Sequence, residues 1–328
     1  MHYAAAALVD SSGKLLASIG NPQLDTFLRS AAKPFQVMPF IEEGAARDLG
    51  LTPRQIAQCC ASHAGTDMHV EAVRGIQARA GIEEQHLQCG SHPPIDEETK
   101  ERLIKNGEKS TPIRHNCSGK HTGMLAFAKV RGLDLDNYLS SEHPIQKDIF
   151  QSFSELCQIS PDKIGIGIDG CSAPNFSIPL YNAALGFARL CDPRELPKKR
   201  AQACKEITSA MMTHPEMVSG FGRFDTRLMQ VGRGKLVVKV GAEGYQSVGI
   251  MPNKGVSSSK GVGIALKISD GDLSEKVRAA VMLEILRQFG ILNKSELAEL
   301  AEFGPVNQIY NWRKIKVGES RPIFELRK

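Results

Sequence analysis

The 328-residue sequence has few aromatic residues, no basic arm and no long apolar run, and each absence excludes a class of function. Aromatic side chains make up 6% of the chain and Trp312 is the single tryptophan, so platforms for stacking bases are not indicated. The 41 lysines and arginines exceed the 36 acidic residues by five but are spread along the chain, which argues against nucleic-acid binding. No segment approaches the roughly 18 apolar residues of a membrane span, and the N-terminus does not resemble a signal peptide. We therefore expect a cytoplasmic protein that does not enter a membrane.

The eight cysteines occur at irregular spacings in a chain far larger than a disulfide-stapled scaffold. In the reducing cytosol we expect them to be mostly thiols, buried as small apolar residues.

Strand patterns lie at both ends of the chain and helix patterns lie between them. Residues 4–9 and 14–19 flank turn residues and predict a β-hairpin. Strands are predicted at 164–168, 235–240, 244–251 and 261–268, with a polar run at 253–260, and an amphipathic helix at 274–289 closes the core. Other helices are predicted from Ser30 through the apolar positions 35–41, near 53–59 and 67–81, from residues 96–99 onward, and near 122–130, 143–157, 178–190 and 197–213. Without repeats or a clear linker, we expect one α/β catalytic domain over 1–328, with a sheet layer from about 1–30 and 160–328 and a helical region at about 31–160.

Ser30 and Lys33 lie three residues apart at the predicted start of a helix, and at that spacing two side chains share a helical face. A serine becomes a nucleophile when a base takes its proton, and a lysine can be that base when burial or a second cation keeps it neutral. The pattern is a candidate Ser-Lys pair, although S-x-x-K also occurs by chance on solvated helices.

Ser62 and Lys239 are further candidates, but taken alone each has a simpler interpretation. Ser62 precedes a helix, where serine is commonly a cap, and Lys239 ends a strand, where lysine is commonly a solvated charge. The order of Ser30-x-x-Lys33 and Lys239-Val240-Gly241 resembles that of serine β-lactamases and penicillin-binding proteins, which carry K-T-G at the second position. Val240 lacks the expected hydroxyl, and this argues against β-lactam chemistry.

Cys117, Lys120 and Cys171 form a third group, whose spacing alone does not predict a metal site. Thiolates suit zinc, but a lysine ligand must lose its proton, and a structural zinc site normally has four Cys or His ligands. Histidines could substitute as ligands, although each is more readily explained as a hydrogen-bonding neighbour. They are His63, His115 and His121.

Read whole, five segments resemble the bacterial L-asparaginase II family of the rhizobial thermolabile type, in the right order and across nearly the whole chain. They are Arg29-Ser30-Ala31-Ala32-Lys33-Pro34-Phe35-Gln36, Cys60-Ala61-Ser62-His63, His115-Asn116-Cys117-Ser118-Gly119-Lys120-His121, Gly167-Ile168-Asp169-Gly170-Cys171-Ser172-Ala173-Pro174 and Lys239-Val240-Gly241-Ala242-Glu243-Gly244.

The resemblance implies an L-asparagine amidohydrolase, a homodimer, with a serine β-lactamase/glutaminase-like fold. It implies two Ser-Lys pairs, Ser30 with Lys33 and Ser62 with Lys239. It also implies a Zn²⁺ held by Cys117, Lys120 and Cys171, with Asp169 beside it and water completing the shell. Family members carry additional residues before the hairpin that this sequence lacks, and we expect this to affect stability and assembly more than chemistry.

Hydrolysis of a carboxamide needs a nucleophile, a proton shuttle and donors for the developing oxyanion. Our hypothesis is that Ser30 attacks the side-chain amide, Lys33 takes its proton, and Ser62 with Lys239 relays protons. Two adjacent ammonium groups cannot both stay charged cheaply, so one lysine should tend toward neutrality. Arg29 is the candidate for the substrate α-carboxylate. The other substrate-binding candidates are His63, Asn116 and His121.

Three alternatives stay open. The same Ser-Lys pairs could act on glutamine or a β-lactam-like amide, the thiol cluster could be a zinc hydrolase using metal-bound hydroxide, or the chain could be a silent, zinc-stabilised binding protein. The sequence also leaves open which serine attacks and how dimer subunits meet.

Overall fold

The computed structural model describes residues 1–254 and 259–328, so the predicted polar run at 253–260 lies partly outside the described residues. The strands β1 to β10, in chain order, are Ala4–Asp10, Leu15–Ile19, Asp25–Phe27, Gly165–Ile168, Pro174–Pro179, Leu236–Gly241, Tyr245–Ile250, Val262–Ile268, Asn307–Tyr310 and Lys316–Ser320. The helices α1 to α14 are Lys33–Gln36, Met38–Glu42, Ala45–Asp48, Pro53–Cys59, Asp67–Ala80, Glu97–Lys105, Ser118–Val130, Pro144–Cys157, Leu180–Cys191, Lys198–Thr213, Pro215–Val218, Phe224–Gly232, Lys276–Gln288 and Lys294–Ala298. Short 3₁₀ turns occur at Arg29–Ala32, Glu84–His86, Pro112–Arg114 and Pro161–Lys163.

A five-stranded antiparallel sheet joins the two ends of the chain, in the order β2-β1-β8-β7-β6. The hairpin of β1 and β2 has the predicted pairing, and β1 pairs along its whole length with β8. The predicted α/β class, with an antiparallel sheet built from N- and C-terminal segments, is confirmed.

Helix α9 approaches this sheet closely because two glycines face it. A Cβ built on Gly263 of β8 would lie 1.8 Å from the carbonyl oxygen of Ala184 in α9. A Cβ on Gly249 of β7 would lie 2.4 Å from Cys191 Sγ. Only glycine allows a helix backbone to pack at this distance from a strand. The predicted C-terminal helix, α13, also packs against β7 and β8.

The helical region follows its local sequence signals closely. Thr52 and Gln55 form the capping box at the start of α4, with Pro53 at the first helical position. Helix α7 begins at Ser118, four residues before the predicted start at Thr122. The four polar or small residues of its first turn are fully buried, so an apolar pattern could not reveal that turn.

A second sheet, in the order β3-β5-β4, was predicted only at β4. Residues 178–179 belong to β5, whereas the sequence predicted a helix from 178, which in fact begins at Leu180. The hairpin of β9 and β10 was also not predicted. Buried apolar residues of the described chain form one continuous cluster from Ala5 to Leu300. No helix in the ranges 1–254 and 259–328 combines the length and apolar character that crossing a membrane requires.

Candidate functional site

Two lysines and a serine from three distant segments meet in the interior. Lys33 is the first residue of α1, Ser62 lies in the loop between α4 and α5, and Lys239 lies in β6. The exposed fractions of these residues are 1%, 4% and 0% respectively. Buried lysines are rare unless they are paired, so their presence here needs a specific explanation.

The Ser62 hydroxyl lies between the two amines. Lys33 Nζ donates to Ser62 Oγ at 2.8 Å, and Lys239 Nζ donates to the same oxygen at 3.0 Å. Lys33 Nζ also donates to the carbonyl oxygens of Ala61 and Asn116, at 2.6 and 3.4 Å. The arrangement links both predicted lysines through one hydroxyl.

Lys239 is the lysine whose proton is weakly held. Burial and the positive charge of Lys33 together lower the pKa of Lys239 to about 7, and Asp225 opposes the shift. An amine with a pKa near neutrality can accept a proton from a hydroxyl in its hydrogen-bond reach.

Ser30 lies near this group, and the backbone N–H of Lys33 donates to its carbonyl oxygen, but its hydroxyl makes no hydrogen bond to the Lys33 amine as the S-x-x-K spacing suggested. Ser30 is half-buried in the 3₁₀ turn, and its side chain makes no hydrogen bond to any described residue. Lys33 instead points inward, because a buried ammonium needs acceptors and the Ser62 loop supplies them. Strand β6 packs against the turn that carries Ser30, so both serines border the same strand as Lys239.

Arg29, predicted to bind the substrate carboxylate, is already paired with two carboxylates. Its Nε donates to Asp169 Oδ1 at 2.7 Å, and its Nη1 donates to Glu243. Burial opposes the charged form, but Asp169 and Glu243 together raise the pKa of Arg29. Its backbone has a φ of +52°, a left-handed conformation, and its N–H donates to Asn175 at 3.0 Å. These contacts offset the guanidinium charge within the protein.

The predicted zinc ligands lie together beside this ion pair. Lys120 Nζ donates to Cys171 Sγ at 2.9 Å. A hydrogen bond from Cys171 and the charges of Lys33 and Lys120 hold the pKa of Cys117 well below its ordinary value, against the effect of burial. Burial also disfavours the ionised form of Asp169, but Lys120 and Arg29 lower its pKa. The cations of this cluster therefore favour the ionised form of Cys117.

The donor chemistry of this cluster fits a metal such as zinc. In the described ranges no three or more His, Cys, Asp or Glu residues are grouped so as to hold a metal ion. That finding does not bear on the predicted zinc ligands, because only two of the three, Cys117 and Cys171, are of these residue types and the third is the amine of Lys120. The Nε2 atom of His121 is buried and has no hydrogen-bond partner among the described residues, and its ring lies beside Cys171. Two thiols, an amine and an unpartnered imidazole nitrogen are suitable donors.

The three remaining predicted residues are held by internal contacts. His63 is fully buried, and burial with nearby positive charge lowers its pKa well below the ordinary value. The N–H of Gly65 donates to His63 Nδ1 at 3.1 Å, so His63 Nε2 carries the proton and donates to Ser118 Oγ at 2.9 Å. His121 Nδ1 lies 2.6 Å from the Tyr138 hydroxyl, and burial lowers the pKa of His121 to about 4. Asn116 contributes its backbone carbonyl to Lys33 and to the N–H of His63.

Sequence reasoning missed Asp225, which fixes the strand that carries Lys239. Asp225 is 2% exposed and accepts hydrogen bonds from the backbone N–H of Val240 at 2.7 Å and from Gln246 Nε2 at 3.1 Å. The available signal was a single acidic residue between Phe224 and Thr226, at a position that no sequence motif marks.

Solved structures similar to this chain include glutaminases, at low identity. They are a protein named Mglu (13% identity, 89% of this chain and 62% of that chain, TM-score 0.45), a Bacillus glutaminase (9%, 88% and 91%, 0.40) and a probable glutaminase from Bacillus subtilis complexed with 6-diazo-5-oxo-L-norleucine (11%, 88% and 84%, 0.39). The chain thus spans less than two thirds of the length of Mglu. A search of curated proteins finds no match. Residues 1–322 match the model of the L-asparaginase II family, and the chain therefore belongs to that family.

Proposed function

We propose that the protein hydrolyses the side-chain amide of L-asparagine to aspartate and ammonia through an acyl-enzyme on a serine activated by lysine. The observation that carries the proposal is the Ser62 hydroxyl held between the buried amines of Lys33 and Lys239. Membership of the L-asparaginase II family favours asparagine as the substrate. Glutamine is the competing substrate.

Attack is assigned to Ser30 and proton relay to Ser62. Ser30 is half-buried and therefore more accessible than Ser62, which is 4% exposed and lies between the two amines. Hydrogen bonds between catalytic groups are often completed only when substrate binds, so the absence of a hydrogen bond between the Ser30 hydroxyl and the Lys33 amine is compatible with this assignment.

In the acylation step, Ser30 Oγ forms a bond to the amide carbon and its proton passes to the lysine pair, with neutral Lys239 as the final acceptor through Ser62. The carbon–nitrogen bond then breaks, and the proton returns to the departing nitrogen as ammonia is released. Water hydrolyses the ester by the reverse proton path, yielding aspartate and free Ser30.

Zinc held by Cys117, Lys120 and Cys171 would polarise and place the substrate rather than deliver the nucleophile. Lys120 must lose its proton to become a ligand. The thiolate form that zinc prefers is already favoured at Cys117, whose pKa is held well below its ordinary value.

A homodimer is part of the proposal. The β9–β10 hairpin exposes a row of large apolar side chains, of a kind that commonly marks a protein–protein contact. They are Ile309, Tyr310, Trp312, Ile315 and Val317. Light scattering should give twice the 35.8 kDa chain mass, and Trp312→Glu should shift the protein toward the monomer.

The test is covalent trapping combined with ammonia release. A diazoketone analogue of L-asparagine should lose N₂ and alkylate Ser30 Oγ, and peptide mass spectrometry should locate the adduct. Ser30→Ala should lose the adduct and about a thousandfold or more of the ammonia release, whereas Ser62→Ala should slow both. Ser160→Ala, at an exposed serine, serves as the control.

An adduct on Ser62 would reverse the roles of the two serines. Near-native ammonia release from the Ser30→Ala, Ser62→Ala double variant would refute the Ser-Lys mechanism.

A further inference from the structure

An open cleft of about 470 Å³ lies beside the Ser62 loop. Its lining includes Ala64, two residues after Ser62, together with Asp96, Phe221, Arg223 and Glu275. The cleft therefore combines one guanidinium with carboxylates at the edge of the proposed catalytic centre.

The segment that carries Arg223 is attached to both halves of that centre. The carbonyl oxygen of Val218 accepts the backbone N–H of Ser62 at 2.9 Å. Gly220 has a φ of +123°, and a Cβ built on it would lie 2.7 Å from the Cβ of Ala64 and 3.7 Å from Cδ of Arg223. Its backbone thus lies against the Ser62 loop, with the stem of Arg223 alongside.

On its C-terminal side, Arg223 is tied to the strand of Lys239. Asp225, two residues later, accepts the N–H of Val240 at 2.7 Å. Arg223 is close enough to Lys239 that its charge contributes to the lowered pKa of that lysine. Its guanidinium is thereby placed near the amine of Lys239, which contacts Ser62.

Arg223 carries an unused buried donor. Its Nη1 atom is buried and has no hydrogen-bond partner among the described residues. Its Nη2 atom lies 3.8 Å from Glu275 Oε2, which is too long for a hydrogen bond, and the Glu275 side chain is 63% exposed. Leaving a buried N–H without an acceptor costs free energy, so an acceptor is expected from outside the chain.

Two other arginines near the site already have their acceptors. Arg29 pairs with Asp169 and Glu243. Arg114 donates to the carbonyl oxygen of Gly65 and to Asp67. Of these three guanidiniums, that of Arg223 has a donor free for a ligand.

We propose that this cleft receives the α-amino-acid end of the substrate and that Arg223 binds its α-carboxylate. The carboxylates of Asp96 and Glu275 suit the α-ammonium group of the same molecule. The inference rests on the proposed amidohydrolase function and gives to Arg223 the role that the sequence suggested for Arg29. Guanidinium and carboxylate match each other in a two-bond geometry that an ammonium cannot reproduce.

The α-carboxylate does not change during amide hydrolysis, so its contact with Arg223 stabilises substrate and transition state alike. Loss of such a contact raises KM and leaves kcat nearly unchanged. A residue that only supported the fold or positioned Lys239 would instead change kcat.

The experiment compares L-asparagine with 3-aminopropanamide, which lacks the α-carboxylate, over a range of pH. At a pH well above the titration of Lys239, where loss of the Arg223 charge no longer changes the protonation of that lysine, kcat/KM for L-asparagine in Arg223→Gln should fall about 10- to 100-fold through KM. Under the same conditions kcat/KM for 3-aminopropanamide should stay within about twofold of wild type. Arg223→Lys should recover part of the loss. Arg227→Gln, in the helix that begins directly after Arg223 and with an exposed partner in Glu302, should match wild type.

A proportional fall for both substrates, or no fall for either, would overturn the assignment. Calorimetric titration with L-aspartate tests binding in the cleft without turnover. Binding should weaken in Arg223→Gln but not in Arg227→Gln. Binding through Arg223 without ammonia release would refute the proposed function but support the subsite. Ammonia release with unchanged discrimination between the two substrates would support the proposed function but refute the subsite. If the protein neither binds L-aspartate nor releases ammonia, both proposals are refuted.

Discussion

Lys239 donates a hydrogen bond to Ser62 at 3.0 Å from a side chain that has no exposed surface. Strand β6 is paired on its inner edge with β7, and Asp225 holds the N–H of the next residue, so the amine has a fixed position. The chain thereby keeps a lysine with a pKa of about 7 against a hydroxyl that also contacts Lys33.

Activity should rise with pH through about 7 if neutral Lys239 is the proton acceptor. The groups that act on this pKa are Lys33 and Arg223, which lower it, and Asp225 and Cys117, which raise it. Asp225→Asn removes one of the opposing charges while keeping an acceptor for the N–H of Val240. The midpoint of the kcat/KM profile should therefore move to lower pH in Asp225→Asn, and a shift to higher pH would contradict the assignment.

Stability should also depend on Lys239. In the unfolded chain this lysine holds its proton up to its ordinary pKa of 10.5, but in the folded chain it loses it near 7. Between these values the unfolded state binds more protons, so the free energy of unfolding should increase with pH, by on the order of 5 kcal/mol from this residue. Urea unfolding at several pH values measures the slope.

Lys239→Met is the matched comparison for that slope. It should remove the contribution of residue 239, so that the free energy of unfolding changes less with pH than in wild type. An unchanged slope would show that Lys239 is not the lysine with the lowered pKa.

The sequence predicted elements whose signals are local. The hairpin of β1 and β2 and the capping box of Thr52 and Gln55 each depend on neighbouring residues, and both are present. Strands β3 and β5 hydrogen-bond to one another across about 150 residues of sequence, as in the pair Thr26 and Ile178, and a short strand in such a pair has no local pattern.

The candidate site also combines features that the sequence could predict with contacts between distant segments that it could not. The resemblance to the L-asparaginase II family identified residues that lie together in the structure, such as Lys33, Ser62 and Lys239. It could not predict which of their atoms form hydrogen bonds. The S-x-x-K spacing favoured a contact of Lys33 with Ser30, yet the acceptors for a buried ammonium lie in the Ser62 loop. The pairing of Arg29 with Asp169 depends on folding alone, because 140 residues separate the two.

Metal removal tests the zinc proposal directly. Purified protein should contain about one zinc per chain, and extraction with a chelator should raise KM for asparagine while leaving the diazoketone adduct on its serine. Cys117→Ser should lower zinc content, since it removes the thiolate of the cluster. Cys204→Ser, at a buried cysteine in α10, should leave the zinc content unchanged. Full activity in a protein free of zinc would exclude the metal from the mechanism.

The close approach of α9 to the central sheet predicts that alanine destabilises the protein far more at Gly263 than at Gly318. Gly263→Ala would place a Cβ 1.8 Å from the carbonyl oxygen of Ala184 and 2.6 Å from the amide nitrogen of Ala188, both backbone atoms that no side-chain rotation can move away. We expect a loss of about 3 kcal/mol or more in the free energy of unfolding, because overpacking of this kind forces the helix off the strand. Gly318→Ala, in β10, meets nothing within 4 Å and should leave the free energy of unfolding nearly unchanged. Urea denaturation of both variants measures the difference, and equal stabilities would contradict the packing of α9 against β8.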